Sequence, residues 1–216
     1  MKRIGLICGG FSSEYDISIK SGQTIQKYFP AHLECVIMEV NRENWRERID
    51  AHQIDAAIIY THGDPGENGK IQAYLDMLQI PYVNSGVLAS ALSFDKWYCN
   101  QFLKGFGFKV AKSQLFHLGQ TIDEDQLVAE LSLPLFVKPA DSGSSYGISK
   151  VKSEQEVQNA FANAFKEGRS VVAEAFLDGT EVTCGVYRST NGLVALPLTE
   201  IVSETEFFDF DAKYNG

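Results

Sequence analysis

Residues 133–151 read "LPLFVKPADSGSSYGISKV", with an apolar run on either side of a tip rich in glycine and serine. This spacing predicts two neighbouring strands joined by a flexible turn. Lys138 brings a positive charge to the end of the first strand, and Ser144 and Ser145 supply hydroxyl and amide donors at the tip. The composition suits an anionic ligand, although a polar hairpin tip with an incidental lysine explains the stretch equally well when it is taken alone.

No familiar phosphate-binding loop accounts for this tip. The segment nearest to a Walker loop, "GDPGENGKI" at 63–71, has the wrong spacing and carries Ile71 where a hydroxyl residue is required. The turn "ICGGFSSE" at 7–14 is not a G-x-G-x-x-G fingerprint either. A nucleotide site in this chain therefore needs another design, for which the 133–151 hairpin is the candidate.

Strand and helix signals alternate upstream of the hairpin. Four short apolar runs predict buried strands, and the segments between them predict helices. The strand runs are 3–8, 33–40, 54–60 and 80–85, and the helical segments are 12–29, 41–53 and 68–79. This order predicts parallel βαβ units in a Rossmann-like domain at 1–83, whose ligands lie beyond the carboxyl ends of the strands. The loops expected to carry function are "GGFSSE" at 9–14 and "THGDPGENG" at 61–69.

The pattern changes in the rest of the chain. Residues 85–107 read as one long helix that ends at Gly105 and Gly107. Strand and helix signals after that predict a smaller α+β unit at 84–177. Two long strand signals joined by "TNG" then begin a new sheet at 178–216, which the pattern leaves incomplete. The predicted fold class is therefore α/β followed by α+β.

Composition argues against several kinds of partner. The 216 residues carry a net charge of −9, which disfavours binding to phosphate-rich polymers, so we expect no nucleic-acid partner. No apolar run approaches the ~18 residues that a membrane span needs, so no membrane partner is expected. The four cysteines are far apart and form no C-x-x-C pair, which predicts free thiols in a reducing, cytoplasmic compartment.

Four stretches, in order along the chain, resemble the signatures of one enzyme family. "GGFSSEYDIS" at 9–18 resembles its G-G-x-S-x-E-x-x-[IV]-S pattern, and the segment 61–96, which begins "THGDPGENG", resembles its H-G-x-x-G-E-[DN]-G…D-K region. The 133–151 hairpin resembles its phosphate-covering hairpin, and "FFDFDAKY" at 207–214 resembles its Y-D-Y-x-x-K-Y loop. The family is that of the D-alanine–D-alanine ligases, in the ATP-grasp superfamily, and the similarity covers nearly the whole chain.

The resemblance implies an ATP site. Lys96 and Lys138 would contact the ATP phosphates, beneath the loop that carries Ser144 and Ser145. Ala175 stands where the family often has lysine, which leaves the N7-side contact to adenine open. The other implied nucleotide residues are Glu174, Phe176 and Leu177 for adenine, Glu181 for the ribose hydroxyls, Phe207 packing on adenine, and Lys213 near the γ-phosphate.

Glu14 is expected in the first turn of a helix capped by Ser13, where acidic residues complement the helix dipole in many proteins. The resemblance gives Glu14 a further role, which is to hold the ammonium group of the first D-alanine. As a catalytic group it would hydrogen-bond with Ser144 and Tyr214, which ties three segments into one closed site.

Three further residues complete the implied substrate site. Ile17 would form an apolar wall for the substrate methyl group. His62 follows the third strand and would lie near the carboxylate of the first substrate, although a lone histidine in such a place is more often structural. Tyr214 would favour attack by the amine of D-alanine.

The implied reaction joins two D-alanine molecules through an acyl phosphate, with ATP and Mg²⁺ (or Mn²⁺) as cofactors, for peptidoglycan synthesis. The family's magnesium ligands and oxyanion arginine follow the tyrosine loop, so they are expected beyond Gly216, and the 216 residues alone are expected to lack ligase activity. The family also implies a homodimer. Two alternatives stay open: another ATP-grasp ligase that joins a carboxylate to an amine, and a nucleotide-binding module without catalysis.

Overall fold

The computed structural model describes residues 1–51 and 53–202. Its N-terminal part is a parallel four-stranded sheet in the order β2-β1-β3-β4. The strands are β1 (Lys2–Gly9), β2 (Leu33–Val40), β3 (Ala56–Ile59) and β4 (Tyr82–Val83), and the helices between them are α1 (Tyr15–Lys27), α2 (Trp45–Asp50) and α3 (Lys70–Met77). The predicted parallel sheet is confirmed.

The centre of this sheet is a continuous apolar core. Leu6 and Ile7 in β1 are fully buried, because crossover helices cover both faces of a parallel sheet. Burying a side chain of this size stabilises the fold by about 1.5–3 kcal/mol. The buried residues of this core are Ile7, Met38, Val40, Ile49, Ala57, Ile59, Ile71 and Leu75.

The prediction of one long helix over 85–107 is wrong, since two helices occupy this segment. They are α4 (Val87–Phe94) and α5 (Lys96–Gly105). Asp95 separates them with an extended backbone (φ −83°, ψ 112°), and its carboxylate accepts a hydrogen bond from the Tyr98 N–H at 3.0 Å, which caps α5. The break makes Lys96 the first residue of α5.

A second, antiparallel sheet has the strand order β5-β8-β6-β7. Its strands are β5 (Ser113–His117), β6 (Leu135–Pro139), β7 (Ser149–Val151) and β8 (Ser170–Ala175). One face packs against α6 (Glu124–Leu131) and α7 (Val157–Ala164), the latter preceded by a 3₁₀ turn at Glu154–Glu156. β6 and β7 pair directly, so the predicted hairpin is confirmed.

Side chains of β6 alternate between the two faces of this sheet. Leu135 and Val137 are fully buried in the core, whereas Phe136 and Lys138 lie on the opposite, more open face. The open face of the second sheet carries the candidate nucleotide residues described below.

Two short antiparallel pairings follow. β10 (Val186–Ser189) pairs with β11 (Gly192–Ala195), as predicted for the two signals joined by "TNG", and β9 (Val182–Thr183) pairs with β12 (Thr199–Glu200). Among the described residues, no helix has both the length and the apolar character that crossing a membrane requires.

Candidate active site

The loop between β1 and α1 brings Glu14 to the carboxyl edge of the parallel sheet. Gly9 and Gly10 turn the chain there with φ of +93° and +124°, which glycine adopts without a steric penalty. Glu14 takes the N-cap position of α1 and is 4% exposed. The prediction that Ser13 caps this helix is wrong, because its hydroxyl donates instead to a Glu167 carboxylate oxygen at 2.8 Å.

Residues 140–148, which join β6 to β7 and are called the flap below, close over Glu14. The hydroxyl of Ser144 donates a hydrogen bond to the Glu14 carboxylate, although the two residues are 130 positions apart. Ser144 and Ser145 have φ of 49° and 61°, a left-handed conformation that costs a residue with a Cβ roughly 1–2 kcal/mol. Gly143 approaches Glu14 so closely that an added Cβ would lie 2.6 Å from a carboxylate oxygen.

The two predicted phosphate lysines lie under the flap and at the end of β6. The Lys96 ammonium donates to the carbonyl oxygen of Ser142 at 2.5 Å, and its backbone N–H donates to the carbonyl of Ala140 at 2.9 Å. The Lys138 ammonium pairs with a Glu174 carboxylate oxygen at 2.5 Å, and both side chains are mostly buried. Each ammonium therefore has protein oxygens in hydrogen-bond contact.

The two ammonium groups are close enough to affect one another. Burial, together with the neighbouring Lys138 ammonium, lowers the pKa of Lys96 to about 8. Partial burial of like charges is unfavourable unless an opposite charge enters. Lys138 already pairs with Glu174, so an anion that enters this position would act mainly on Lys96 and favour its charged form.

His62 follows β3 and faces the same edge of the sheet. Its Nδ1 lies 3.6 Å from a carboxylate oxygen of Glu67. The neighbouring Glu67 carboxylate raises the pKa of His62 against the effect of burial, and the charge of Glu14 adds to the rise. Burial raises the pKa of Glu67, but the nearby His62 imidazole and a hydrogen bond from the Gly63 N–H outweigh it and leave that pKa below its ordinary value. Each of the two groups therefore favours the charged form of the other.

The open face of the second sheet joins an acidic group to aromatic rings. Glu174 on β8 lies directly opposite Phe136 on β6, and the Phe136 ring is 6.1 Å from that of Phe176, centroid to centroid. Phe136 was not predicted as a site residue, although the alternation of "LFVKP" places it on the face of Lys138. Ala175 pairs with buried Leu135 and packs against the core, so it lies on the other face.

Two cavities meet at the flap. A cavity of about 450 Å³ is lined by Glu14, Gly143 and Tyr146, among others. A second of about 470 Å³ is lined by Lys96 and Glu67 and shares Gly143 with the first. The base of the flap therefore separates a space beside the carboxylate from a space beside the lysine.

Known proteins are similar to this chain along its whole length. The family described as "D-ala D-ala ligase C-terminus" matches residues 102–216. The D-alanine–D-alanine ligase of Parabacteroides distasonis is 44% identical over 100% of this chain and 71% of its own length. The chain belongs to the D-alanine–D-alanine ligase family.

Solved structures of the family share the fold. The D-alanine–D-alanine ligase of Bacillus anthracis complexed with ATP is 30% identical, with a TM-score of 0.81 over 96% of this chain and 68% of that chain. The VanG D-Ala:D-Ser ligase of Enterococcus faecalis is 26% identical, with a TM-score of 0.79 over 99% of this chain and 73% of that chain. The predicted α/β and ATP-grasp fold class is therefore confirmed.

Three residues implied by the ligase family are not among those that line the two cavities. Ile17 is partly buried in α1, Leu177 is exposed, and Glu181 is exposed just before β9. Phe207, Lys213 and Tyr214 lie outside the described residues, so their predicted roles stay predictions.

A cluster that could by itself hold a metal ion is absent from residues 1–51 and 53–202. They contain no group of three or more His, Cys, Asp or Glu side chains arranged to hold a metal ion. The ligands predicted beyond Gly216 stay a prediction, and the chemistry proposed below is assigned only to residues of this chain.

Proposed function

We propose that the protein acts in the ATP-dependent ligation of two D-alanine molecules to D-alanyl-D-alanine, a precursor of peptidoglycan. The hydrogen bond from Ser144 to Glu14 is the observation that supports this proposal most directly. It joins the flap, which is expected to cover the ATP phosphates, to the carboxylate that is expected to bind D-alanine. Family membership and 44% identity to a D-alanine–D-alanine ligase support the same activity.

ATP is the phosphoryl donor, and the two lysines are its phosphate ligands. Lys96 and Lys138 supply two ammonium groups, and Ser144 and Ser145 supply amides and hydroxyls from the flap. Positive groups placed around the transferring phosphoryl group stabilise the charge that develops in the transition state. The ATP complex of the Bacillus anthracis ligase supports the nucleotide assignment.

The nucleotide base lies on the open face of the second sheet. Glu174 accepts from the exocyclic amino group of adenine, and Phe176 and Leu177 contribute backbone contacts. Phe136 adds an aromatic floor, since its ring lies next to that of Phe176. Glu181 takes the ribose hydroxyls. Phe207 and Lys213 complete the site as the resemblance implies.

The first D-alanine binds between Glu14 and His62. Its ammonium group meets the Glu14 carboxylate, because a buried carboxylate needs an opposite charge. Its carboxylate is attracted by His62, whose pKa is raised by Glu67, so that the imidazole is more fully charged near neutral pH. Ile17 contributes an apolar wall for the methyl group, and Tyr214 closes the site.

The reaction then has two steps. A carboxylate oxygen of the first D-alanine attacks the γ-phosphorus of ATP, and ADP leaves with the electron pair of the broken P–O bond. The amine of the second D-alanine attacks the acyl phosphate, phosphate leaves, and the nitrogen loses a proton. The closed flap keeps water away from the acyl phosphate, and alignment of the reactants supplies much of the rate.

Several wider features belong to the same proposal. The chain divides into an N-terminal domain at 1–83, a central ATP-grasp subdomain at 84–177 and a C-terminal one that begins at 178. The protein works in the cytoplasm, which its free cysteines support. It forms a homodimer, which the exposed apolar side chains of Met77, Val83 and Leu88 support. Mg²⁺ or Mn²⁺ accompanies ATP, as the family implies.

The test is amino-acid-dependent phosphate release from ATP by the protein expressed from its complete reading frame. D-Alanine should stimulate release and yield D-alanyl-D-alanine, whereas L-alanine should not. A mixture of D-alanine and D-serine distinguishes the D-Ala:D-Ser specificity of the VanG neighbour. Release driven by another carboxylate–amine pair would favour a different ATP-grasp ligase. ATP binding without any amino-acid response would favour a non-catalytic module.

A further inference from the structure

A row of three side chains crosses the open face of the second sheet. Phe136 on β6 lies directly opposite Glu174 on β8 and directly opposite Lys150 on β7. Residues paired in this way point to the same face. Their neighbours Val137, Val151 and Ala173 are buried in the core, which confirms that the row faces away from it. The aromatic ring therefore lies between a cation and an anion.

The lysine at one end of the row is held in place by an aromatic ring. The Lys150 ammonium lies 4.6 Å from the centroid of the Phe176 ring. That ring also neighbours Phe136, at 6.1 Å and with an angle of 42° between the two planes. A cation within about 6 Å of a ring is attracted by its quadrupole, so Lys150 lies against the aromatic floor and does not extend freely into solvent.

The spacing of the row matches a planar heterocycle. Neighbouring strands are about 4.8 Å apart, so the backbones of Lys150 and Glu174 lie about 10 Å apart with Phe136 between them. A purine stacked on Phe136 would present one edge to the carboxylate and another to the ammonium. Adenine has an amino donor for the first and ring-nitrogen acceptors for the second.

We propose that Lys150 is a nucleotide-binding residue at the base end of the site, where its ammonium contacts the purine on an edge away from Glu174. The inference rests on the proposed function for the identity of the nucleotide. It assigns Lys150 to the base and not to the phosphates, because its contact is with the Phe176 ring, whereas Lys96 and Lys138 lie at the flap and the end of β6.

Calorimetric titration of a ligand series distinguishes the two ends of the nucleotide. Adenosine carries only the base end, and ADP carries both ends. Lys150→Met keeps the side-chain stem and removes the charge. It should weaken binding of adenosine and ADP by the same factor, about tenfold. Lys150→Arg keeps a cation with donors and should restore most of the affinity for both ligands.

Two comparison variants show whether the effect is specific to Lys150 and to the base end of the nucleotide. Lys166→Met removes an exposed lysine just after α7 and should bind both ligands like the wild type. Lys96→Met should weaken ADP much more than adenosine. Circular dichroism and the melting temperature check that each variant is folded. If Lys150→Met loses its fold, the ratio of adenosine to ADP affinity in Lys150→Arg provides the readout, and it should match the wild type.

The outcomes separate this inference from the proposed function. Unchanged affinity for both ligands in Lys150→Met would overturn the inference, and so would weakening confined to ADP. A wild-type protein that binds adenosine and ADP without D-alanine-dependent phosphate release would overturn the proposed ligase activity and leave the Lys150 assignment standing. A wild-type protein that binds neither ligand would overturn both.

Discussion

Replacing Gly143 with alanine places a methyl group against the Glu14 carboxylate. The added Cβ would lie 2.6 and 2.9 Å from the two carboxylate oxygens, whereas ordinary contact begins at 3.4 Å. One side must move by about 0.8 Å, the difference between the shorter distance and ordinary contact. Gly143 has no positive φ, so alanine adds no backbone strain, and the contact alone determines the effect.

The expected consequence is loss of flap closure. Glu14 is 4% exposed and packed in place, so the flap moves and the Ser144 hydroxyl leaves the carboxylate. A hydrogen bond to a charged group contributes about 1.5–3 kcal/mol, which corresponds to roughly 10- to 100-fold. We therefore expect Gly143→Ala to lower kcat/KM for D-alanine by that factor, while the melting temperature changes little.

The assay is ADP release at saturating ATP with varied D-alanine, using protein expressed from its complete reading frame. Gly105→Ala is the matched control, because an added Cβ meets nothing within 4 Å there and Gly105 also lacks a positive φ. The control should retain the wild-type rate. A folded Gly143→Ala variant with kcat/KM within twofold of the wild type would refute the reasoning.

Three further predictions concern packing and charge. Gly66→Ala puts a Cβ 1.6 Å from the buried Thr61 hydroxyl oxygen and should destabilise the fold by about 3 kcal/mol in urea unfolding, the upper range for overpacking; an unchanged midpoint would contradict this. The pKa of Lys96 is about 8, and a bound phosphate favours the charged form, so ATP affinity should fall as pH rises from 7 to 9. The arginine of Lys96→Arg stays charged over this range, so the ATP affinity of that variant should not depend on pH. A pH dependence equal to that of the wild type would show that Lys96 is not the titrating group. In a double-mutant cycle, Lys138→Met and Glu174→Gln should each destabilise by about 3 kcal/mol and the pair by much less than the sum, because a single substitution strands a mostly buried charge; additive losses would contradict the ion pair.

The sequence predicted best those strands and turns whose pattern is contained within the element itself. Continuous apolar runs such as that of β1 predict buried parallel strands, and the spacing around the Gly/Ser tip predicts the β6–β7 hairpin. The helix break at Asp95 was missed because the apolar pattern continues through it. Aspartate is a preferred N-cap residue, and "SFDKWY" contains one at Asp95, which caps α5 through the Tyr98 N–H. This signal could have located the break.

The contacts within the site depend on register, which no local pattern gives. Lys138 and Glu174 pair because β6 and β8 align in one of several possible registers. The same alignment brings Phe136 beside Glu174, and no feature of the 133–151 stretch identifies that partner. Ser13 turns toward Glu167 and leaves α1 uncapped, because a partner 154 positions away competes with the local backbone.

A crystal structure of the protein with a non-hydrolysable ATP analogue and D-alanine tests the site most directly. The terminal phosphate should lie within about 2.7–3.2 Å of the Lys96 and Lys138 ammonium nitrogens, beneath the flap, with the D-alanine ammonium at the same distance from Glu14. Phosphates away from both lysines, or D-alanine bound out of reach of Glu14, would contradict the proposed ligase site.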